Sequence, residues 1–315
     1  MDLKPRVLPI DRFVAIYNAA LAALWATYVG RAPHAAWLAL GHVAAVALPA
    51  LLRRAPAPLS PSLRALRELY PVIWLAAFWP ELGLLQQLRI PPTFDQQIAA
   101  LDLALFGLHG SHVNLVWMPR MPSLWLSEPM HFSYWAYYLL IALPPLALTL
   151  LGRTAALRDL VFRLMLTYLT CYAIYLVYPV YGPGLTLPRY AGPLNDGLFH
   201  RLVDSTLGAG DSPGSAFPSS HVAGAVTIAY ACSRWVPRRV ATLLWIEAIG
   251  VLVSTVYTQH HFPIDAVSGF AGALLLQIAV AGPVARWLGG CATVPGPVLP
   301  VFAPTPVAAP TGSAR

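Results

Sequence analysis

The chain has 315 residues, of which 57% are hydrophobic and only 10% charged, whereas soluble proteins carry roughly 25% charged residues. With a mean hydropathy of +0.61, its apolar stock exceeds what one aqueous core can bury, which excludes a soluble enzyme and makes lipid the solvent for most of the surface. The formal net charge of +7 comes from 19 Arg and one Lys against 13 acidic residues. These charges lie between apolar runs, so they read as membrane topology and not as a nucleic-acid footprint.

Eight apolar runs are long enough to cross, or nearly cross, a hydrocarbon layer of roughly 30 Å: residues 13–30, 34–52, 69–88, 131–151, 157–180, 217–235, 240–258 and 262–284. The first is longer than a signal peptide's apolar region and reads as an uncleaved span. Lipid offers no hydrogen-bond partner to an open backbone, so the expected fold class is all-α, a polytopic membrane helix bundle. Cys171, Cys232 and Cys291 have no paired spacing, and neither a zinc site nor a disulfide framework is expected.

With the N-terminus in the cytoplasm, fifteen basic residues fall inside (Lys4, Arg6, Arg12, Arg53, Arg54, Arg64, Arg67, Arg153, Arg158, Arg163, Arg234, Arg238, Arg239, Arg286 and Arg315). Five fall outside: Arg31, Arg89, Arg120, Arg189 and Arg201. Eight spans with both ends inside satisfy the positive-inside bias.

The expected organisation is N-terminal membrane helices over 1–90, an extracytoplasmic interfacial segment over 91–127, a catalytic core over 128–288 and a disordered cytoplasmic tail over 289–315, rich in Pro, Ala and Thr. Within the interfacial segment, Ile98, Leu101, Leu105 and Leu108 recur at helical spacing beside Asp95 and Asp102, as in a helix lying on the membrane surface. The outer stretch 181–216 is rich in Gly and Pro and carries Arg189, Asp196, Arg201, Asp204 and Asp211, the composition of a functional loop.

Two segments at the outer face carry chemistry. Phe217 to His221 reads FPSSH, a helix start with Ser219 or Ser220 as N-cap, whose open N–H groups favour an anion. Ser254 to Asp265 reads STVYTQHHFPID, in which His261 and Asp265, four residues apart, share a helix face. The carboxylate then takes one imidazole N–H and leaves the other nitrogen free for attack. An unpaired Asp at bilayer depth costs roughly 2.5 to 3.5 kcal/mol, so Asp265 needs a partner. A purely structural His–Asp brace is the alternative at this stage. On the same geometric ground His260, one residue removed, is expected to point away from the site.

These motifs resemble the type 2 phosphatidic acid phosphatase superfamily, whose pattern has a PSGH-like segment followed about two helices later by S-R-x5-H-x3-D. Here stand Pro218-Ser219-Ser220-His221 and Ser254-Thr255-x5-His261-x3-Asp265. The paired His260-His261 followed by an aromatic, and the HFSY run from His131 to Tyr134, look most like the branch containing fungal inositol phosphorylceramide synthase and bacterial relatives.

The resemblance implies His261 as nucleophile, Asp265 as its orienting group and His221 as proton donor to the leaving oxygen, with Ser219 and Ser220 on phosphate oxygens and no metal or other cofactor. The implied partners are a lipid phosphate or phospholipid, the bilayer and a hydroxyl acceptor, inositol-like or lipid; nucleic acid is not among them. The family's first motif, K-x6-R-P, is missing, Thr255 replaces the Arg of the second, and a turn that reads Gly-Pro-Arg in bacterial relatives reads Gly182-Pro183-Gly184. Arg189 and Arg201 are the nearest outer cations able to substitute, Arg189 being closer to that turn. Tyr134 is read either as a head-group contact or as interfacial packing, and Glu128 and His131 likewise. His34, His42, His109, His112 and His200 are assigned no role.

Three other readings stay open: a transporter or flippase relaying protons through Glu81, Glu247 and Asp265, an inactive member of the family, and an intramembrane serine protease, against which no Gly-rich nucleophile turn is found. The charge bias places the site of this integral membrane protein on the extracytoplasmic side. A cysteine introduced at Asn195 should therefore react with an impermeant thiol reagent in whole cells while one at Pro237 stays unlabelled; the reverse pattern contradicts the topology.

Overall fold

The computed structural model describes residues 7–54, 60–89, 93–121, 123–208, 210 and 212–289; the tail beyond Gly289 and Cys291 lie outside the described residues. Among the described residues thirteen α-helices follow one another: α1 (Pro9–Ala26), α2 (Ala35–Arg54), α3 (Pro61–Arg89), α4 (Asp95–Phe106), α5 (Val113–Arg120), α6 (Leu124–Leu150), α7 (Thr154–Val177), α8 (Pro183–Thr186), α9 (Leu198–Gly208), α10 (Ser220–Ser233), α11 (Arg238–Tyr257), α12 (Pro263–Leu275) and α13 (Ala281–Trp287). A π-helical turn, Leu276–Val280, joins the last two. Extended pairing among the described residues is limited to two isolated bridges, Leu108 with Ser111 and Val180 with Ser215. The fold is all-α.

Each predicted apolar run corresponds to a helix, but four are long and apolar enough to cross a membrane among the described residues: α6, α7, α11 and the continuous rod Pro263–Trp287. α10 is shorter, with 14 residues. It lies at the centre, packed against α6, α7, α11 and α12, and Ala223, Ala225, Ala229 and Ala231 on it are buried. Such small side chains let helices approach closely. A Cβ on Gly224 would collide with the Tyr168 hydroxyl, which already bonds Tyr137 across α6 and α7 at 2.7 Å.

Polar side chains hold one end of the bundle. Asp159, near the start of α7, accepts from Arg163 at 2.9 Å, from Arg234 at 2.9 Å and from the Trp235 indole at 2.8 Å, tying α7 to the end of α10. Glu68 pairs with Arg158, and Asp11 with Arg67 and the Tyr70 hydroxyl. Most of the basic side chains in this layer belong to the set predicted to be cytoplasmic. The opposite ends of α7 and α10, with the starts of α6 and α12, face the other way, and there the chemistry-bearing motifs meet.

Above that far end the interfacial segment acts as a clamp. In α4, Ile98 is buried while Leu101 and Leu105 are exposed. Its carboxylates turn inward: Asp102 accepts from the Ile264 N–H at 3.1 Å, and Asp95 from the Tyr181 and Gly182 N–H groups at 2.9 Å each. Gly182 has φ +79° and a Cβ on it would meet the Ala216 side chain, so the turn needs glycine. In α5, Asn114 donates to the Val256 and His261 carbonyls at 3.0 and 2.7 Å, fixing the turn between α11 and α12.

Candidate active site

Local chain chemistry builds the site. Ser219 caps α10, its hydroxyl accepting from the Val222 N–H at 3.4 Å, as N-cap preferences anticipate. α12 starts with Pro at its first position and Asp265 two residues later, whose carboxylate reaches back to the Phe262 N–H at 2.8 Å. The two helix starts are bonded directly: the Ser219 N–H donates to the Asp265 carbonyl at 3.0 Å. A Cβ on Gly269 would strike the Ser219 carbonyl, so glycine there permits the close approach.

α11 ends with Gln259 in the left-handed region at φ +61°, and the His260 and His261 N–H groups donate back to the Thr255 carbonyl at 3.1 and 3.0 Å. Gln259 holds that conformation through its side chain, which donates to the Asn114 carbonyl at 2.8 Å and accepts from the Tyr190 N–H at 2.7 Å. This turn delivers His261 to Asp265, with Nδ1 and the carboxylate 3.7 Å apart and the carboxylate fully buried. From α10, His221 Nδ1 lies 3.5 Å from His261 Nε2. On its other side His221 Nε2 lies 3.4 Å from the Tyr134 hydroxyl, and the rings of Tyr134 and Tyr137 stand 5.1 and 4.5 Å from the imidazole.

His261 thus presents Nδ1 to the Asp265 carboxylate and Nε2 to His221.

The imidazoles of His221, His260 and His261, with Tyr134 and Arg189, line one cavity of about 520 Å³, within the range of small-ligand sites. Arg189 is exposed at its wall, and its guanidinium lies 3.2 Å from His260 Nε2. A guanidinium only donates, so that nitrogen accepts, and Nδ1 carries the hydrogen, which it donates to the Thr258 hydroxyl at 2.9 Å. Burial, followed by the neighbouring Arg189 charge, pushes the His260 pKa well below the ordinary imidazole value. The ring stays neutral and keeps its lone pair on the cation. Below about pH 6.5 the unfolded chain takes up a proton that this folded site refuses, so acid weakens the fold here as pH falls toward the depressed value.

Several sequence expectations are corrected. His260 does not point away: the α11–α12 turn is not helical at this position, and the residue lines the cavity with its ring 4.7 Å from Tyr134. Ser219 and Ser220 are buried and outside the cavity lining. The N–H groups predicted to be open for an anion are largely engaged, since Ser219 N–H bonds Asp265, Val222 N–H bonds Ser219 and Ser220 N–H donates to the Tyr175 hydroxyl at 3.1 Å. Arg201 lies exposed on α9, also outside the lining. The structural roles of Asn114 and Gln259 were missed because a lone amide carries no periodic signal. Glu81 is an interhelical partner, accepting from the Trp25 indole and contacting His42 at 2.7 Å.

Comparison with known families decides what this arrangement belongs to. The profile described as PAP2 superfamily matches residues 96–279. The chain belongs to the PAP2 superfamily. No curated protein and no solved structure matches it. The PAP2 region starts within α4 and stops inside the π-helical turn, so it takes in both motifs, the outer loop and the clamp, and leaves α1 to α3 outside. Membership points to phosphatase-type chemistry on lipid phosphoesters in a membrane.

Among the described residues the partner given to the Arg189 guanidinium is the neutral His260 ring and not a carboxylate. His260→Ala should raise KM for a lipid phosphate several-fold with a smaller change in kcat, and Arg189→Ala should do the same. Steady-state kinetics in detergent check this, and a loss confined to kcat with KM unchanged contradicts the positioning role.

Proposed function

We propose that this PAP2 protein cleaves a lipid phosphoester at the extracytoplasmic leaflet through a phosphohistidine on His261, then passes the phosphoryl-bearing group to water or to a hydroxyl acceptor, inositol-like or lipid. The observation that carries the reading is the convergence of His221 and His261 from two separate segments on one cavity, with Asp265 buried behind His261 and His261 Nε2 facing His221.

His261 Nε2 attacks phosphorus, forming the P–N bond as the bond to the leaving oxygen breaks. Asp265 holds Nδ1–H and stabilises the imidazolium charge that develops. Protonated His221 gives its Nδ1 proton to the leaving oxygen, which departs as an alcohol, and its Nε2–H stays on the Tyr134 hydroxyl. Arg189 supplies the positive charge that the absent K-x6-R-P motif gives elsewhere, so phosphate is held by one cation backed by a neutral imidazole. In the second half a neutral imidazole takes the acceptor's proton, and His221 regains its own before the next turnover. The extracytoplasmic placement rests on the charge bias of the connecting segments and on the ion-paired layer at the opposite end of the bundle. The branch resemblance supports transfer to a polyol as well as hydrolysis.

His261→Ala should abolish turnover of a lipid phosphate by purified protein, and Asp265→Asn should cost roughly tenfold or more in kcat/KM. Activity should be bell-shaped in pH, because one imidazole must be neutral and the other charged, and it should survive EDTA. Retained turnover in His261→Ala, or a strict need for an added divalent ion, contradicts the mechanism.

A further inference from the structure

The cavity that holds the His261–Asp265 pair carries a second pair of the same kind. On α9, His200 and Asp204 are four residues apart, with Nδ1 3.3 Å from the carboxylate, and both residues line the cavity. His200 is buried to 9% exposure while the Asp204 side chain is half exposed.

The placement is fixed from α6. Glu128 accepts the Phe199 N–H at 3.2 Å near the start of α9, the Phe132 and Phe199 rings lie 5.0 Å apart, and the His131 ring stands 4.8 Å from that of His200. His131 is itself locked, its Nδ1 donating to the Ser127 carbonyl at 2.8 Å. His131 and Tyr134 are three apart on α6, and Tyr134 touches both His221 and His260. The two His–Asp pairs therefore flank one stripe of α6. The reading of the first pair gives the second no part.

We infer that His200 is a second general base, positioned by Asp204, which deprotonates the hydroxyl group that resolves the phosphoenzyme. The inference rests on the function proposed above. Its physical basis is the charge division of the cavity. The Arg189 and His260 part of the lining attracts the phosphate, whereas the Asp204 carboxylate in the same lining repels an anion and suits a neutral O–H. With Nδ1 facing Asp204, His200 Nε2 is the nitrogen left to take a proton. In the step, the acceptor oxygen forms its bond to phosphorus as the P–N bond to His261 breaks and returns its electron pair to Nε2. The acceptor proton moves to His200, Asp204 balances the resulting charge, and the half-exposed carboxylate gives that proton a way to water.

The test uses the full-length protein in detergent with dioctanoyl phosphatidic acid, in water alone and with added glycerol as a second acceptor. Rapid quench should show that His200→Gln and Asp204→Asn still release a first-turnover burst of diacylglycerol. Their steady-state turnover should fall at least tenfold and phosphoenzyme should accumulate. Added imidazole should restore part of the lost turnover in His200→Ala, which a merely structural role for His200 does not predict. Loss in both the water and the glycerol arms means one base serves both acceptors; loss confined to glycerol marks an alcohol subsite, and each supports the inference. Burst and steady state falling together, or neither changing while His261→Ala is dead, overturns it and leaves the function reading intact. Turnover that persists in His261→Ala, or wild-type protein that neither turns over nor traps phosphate, overturns both.

Discussion

The hydrogen bond from the Ser219 N–H to the Asp265 carbonyl at 3.0 Å joins the starts of two helices more than forty residues apart in sequence. Everything in the site depends on that junction. It requires glycine at position 269, because any Cβ there meets the Ser219 carbonyl, and it sets His221, in the first turn of α10, against His261, just before α12. Tyr175 reinforces it from α7, its hydroxyl donating to the Pro218 carbonyl at 2.6 Å and accepting from the Ser220 N–H. The serines thus serve the architecture that brings the imidazoles together.

How much of this was legible follows from what kind of signal each residue leaves. The helical bundle could be read because lipid forbids open backbone, so long apolar runs have one structural outcome. His261 comes near Asp265 because Asp265 stands in the first turn of α12 with its carboxylate drawn back to the Phe262 N–H, beside the end of the turn. His260 was misread because spacing carries no direction in a turn, and Gln259 at positive φ ends the helix before the two imidazoles. Asp95 and Asp102 looked like the polar face of a surface helix; their bonds to the Tyr181, Gly182 and Ile264 N–H groups show carboxylates spent on backbone donors that helix starts and turns leave open. His200 stands in the same i, i+4 relation to Asp204 as His261 does to Asp265, a relation the sequence reading, which looked for ligand spacing, did not use.

The helices before the PAP2 region are tied to the site through its outer loop. On α3, the Trp79 indole donates to the Gly210 carbonyl, the Trp79 carbonyl accepts from Ser212 at 2.7 Å, and Gln86 donates to the Gly214 carbonyl at 3.1 Å. Trp79 also lines the cavity. At the other end Arg12 of α1 donates to the Leu288 carbonyl at 2.8 Å, closing the bundle around α7. Side chains from outside the family region thereby set the position of the loop that carries Arg189.

The account stands on a covalent bond between phosphorus and one particular nitrogen. Purified protein mixed with a lipid phosphate labelled on phosphorus, quenched in alkali within the first turnovers and mapped by peptide, should carry an acid-labile, alkali-stable phosphate on His261. Label on His260, His221 or a serine, or turnover under the same conditions with no phosphoenzyme at any residue, would contradict it.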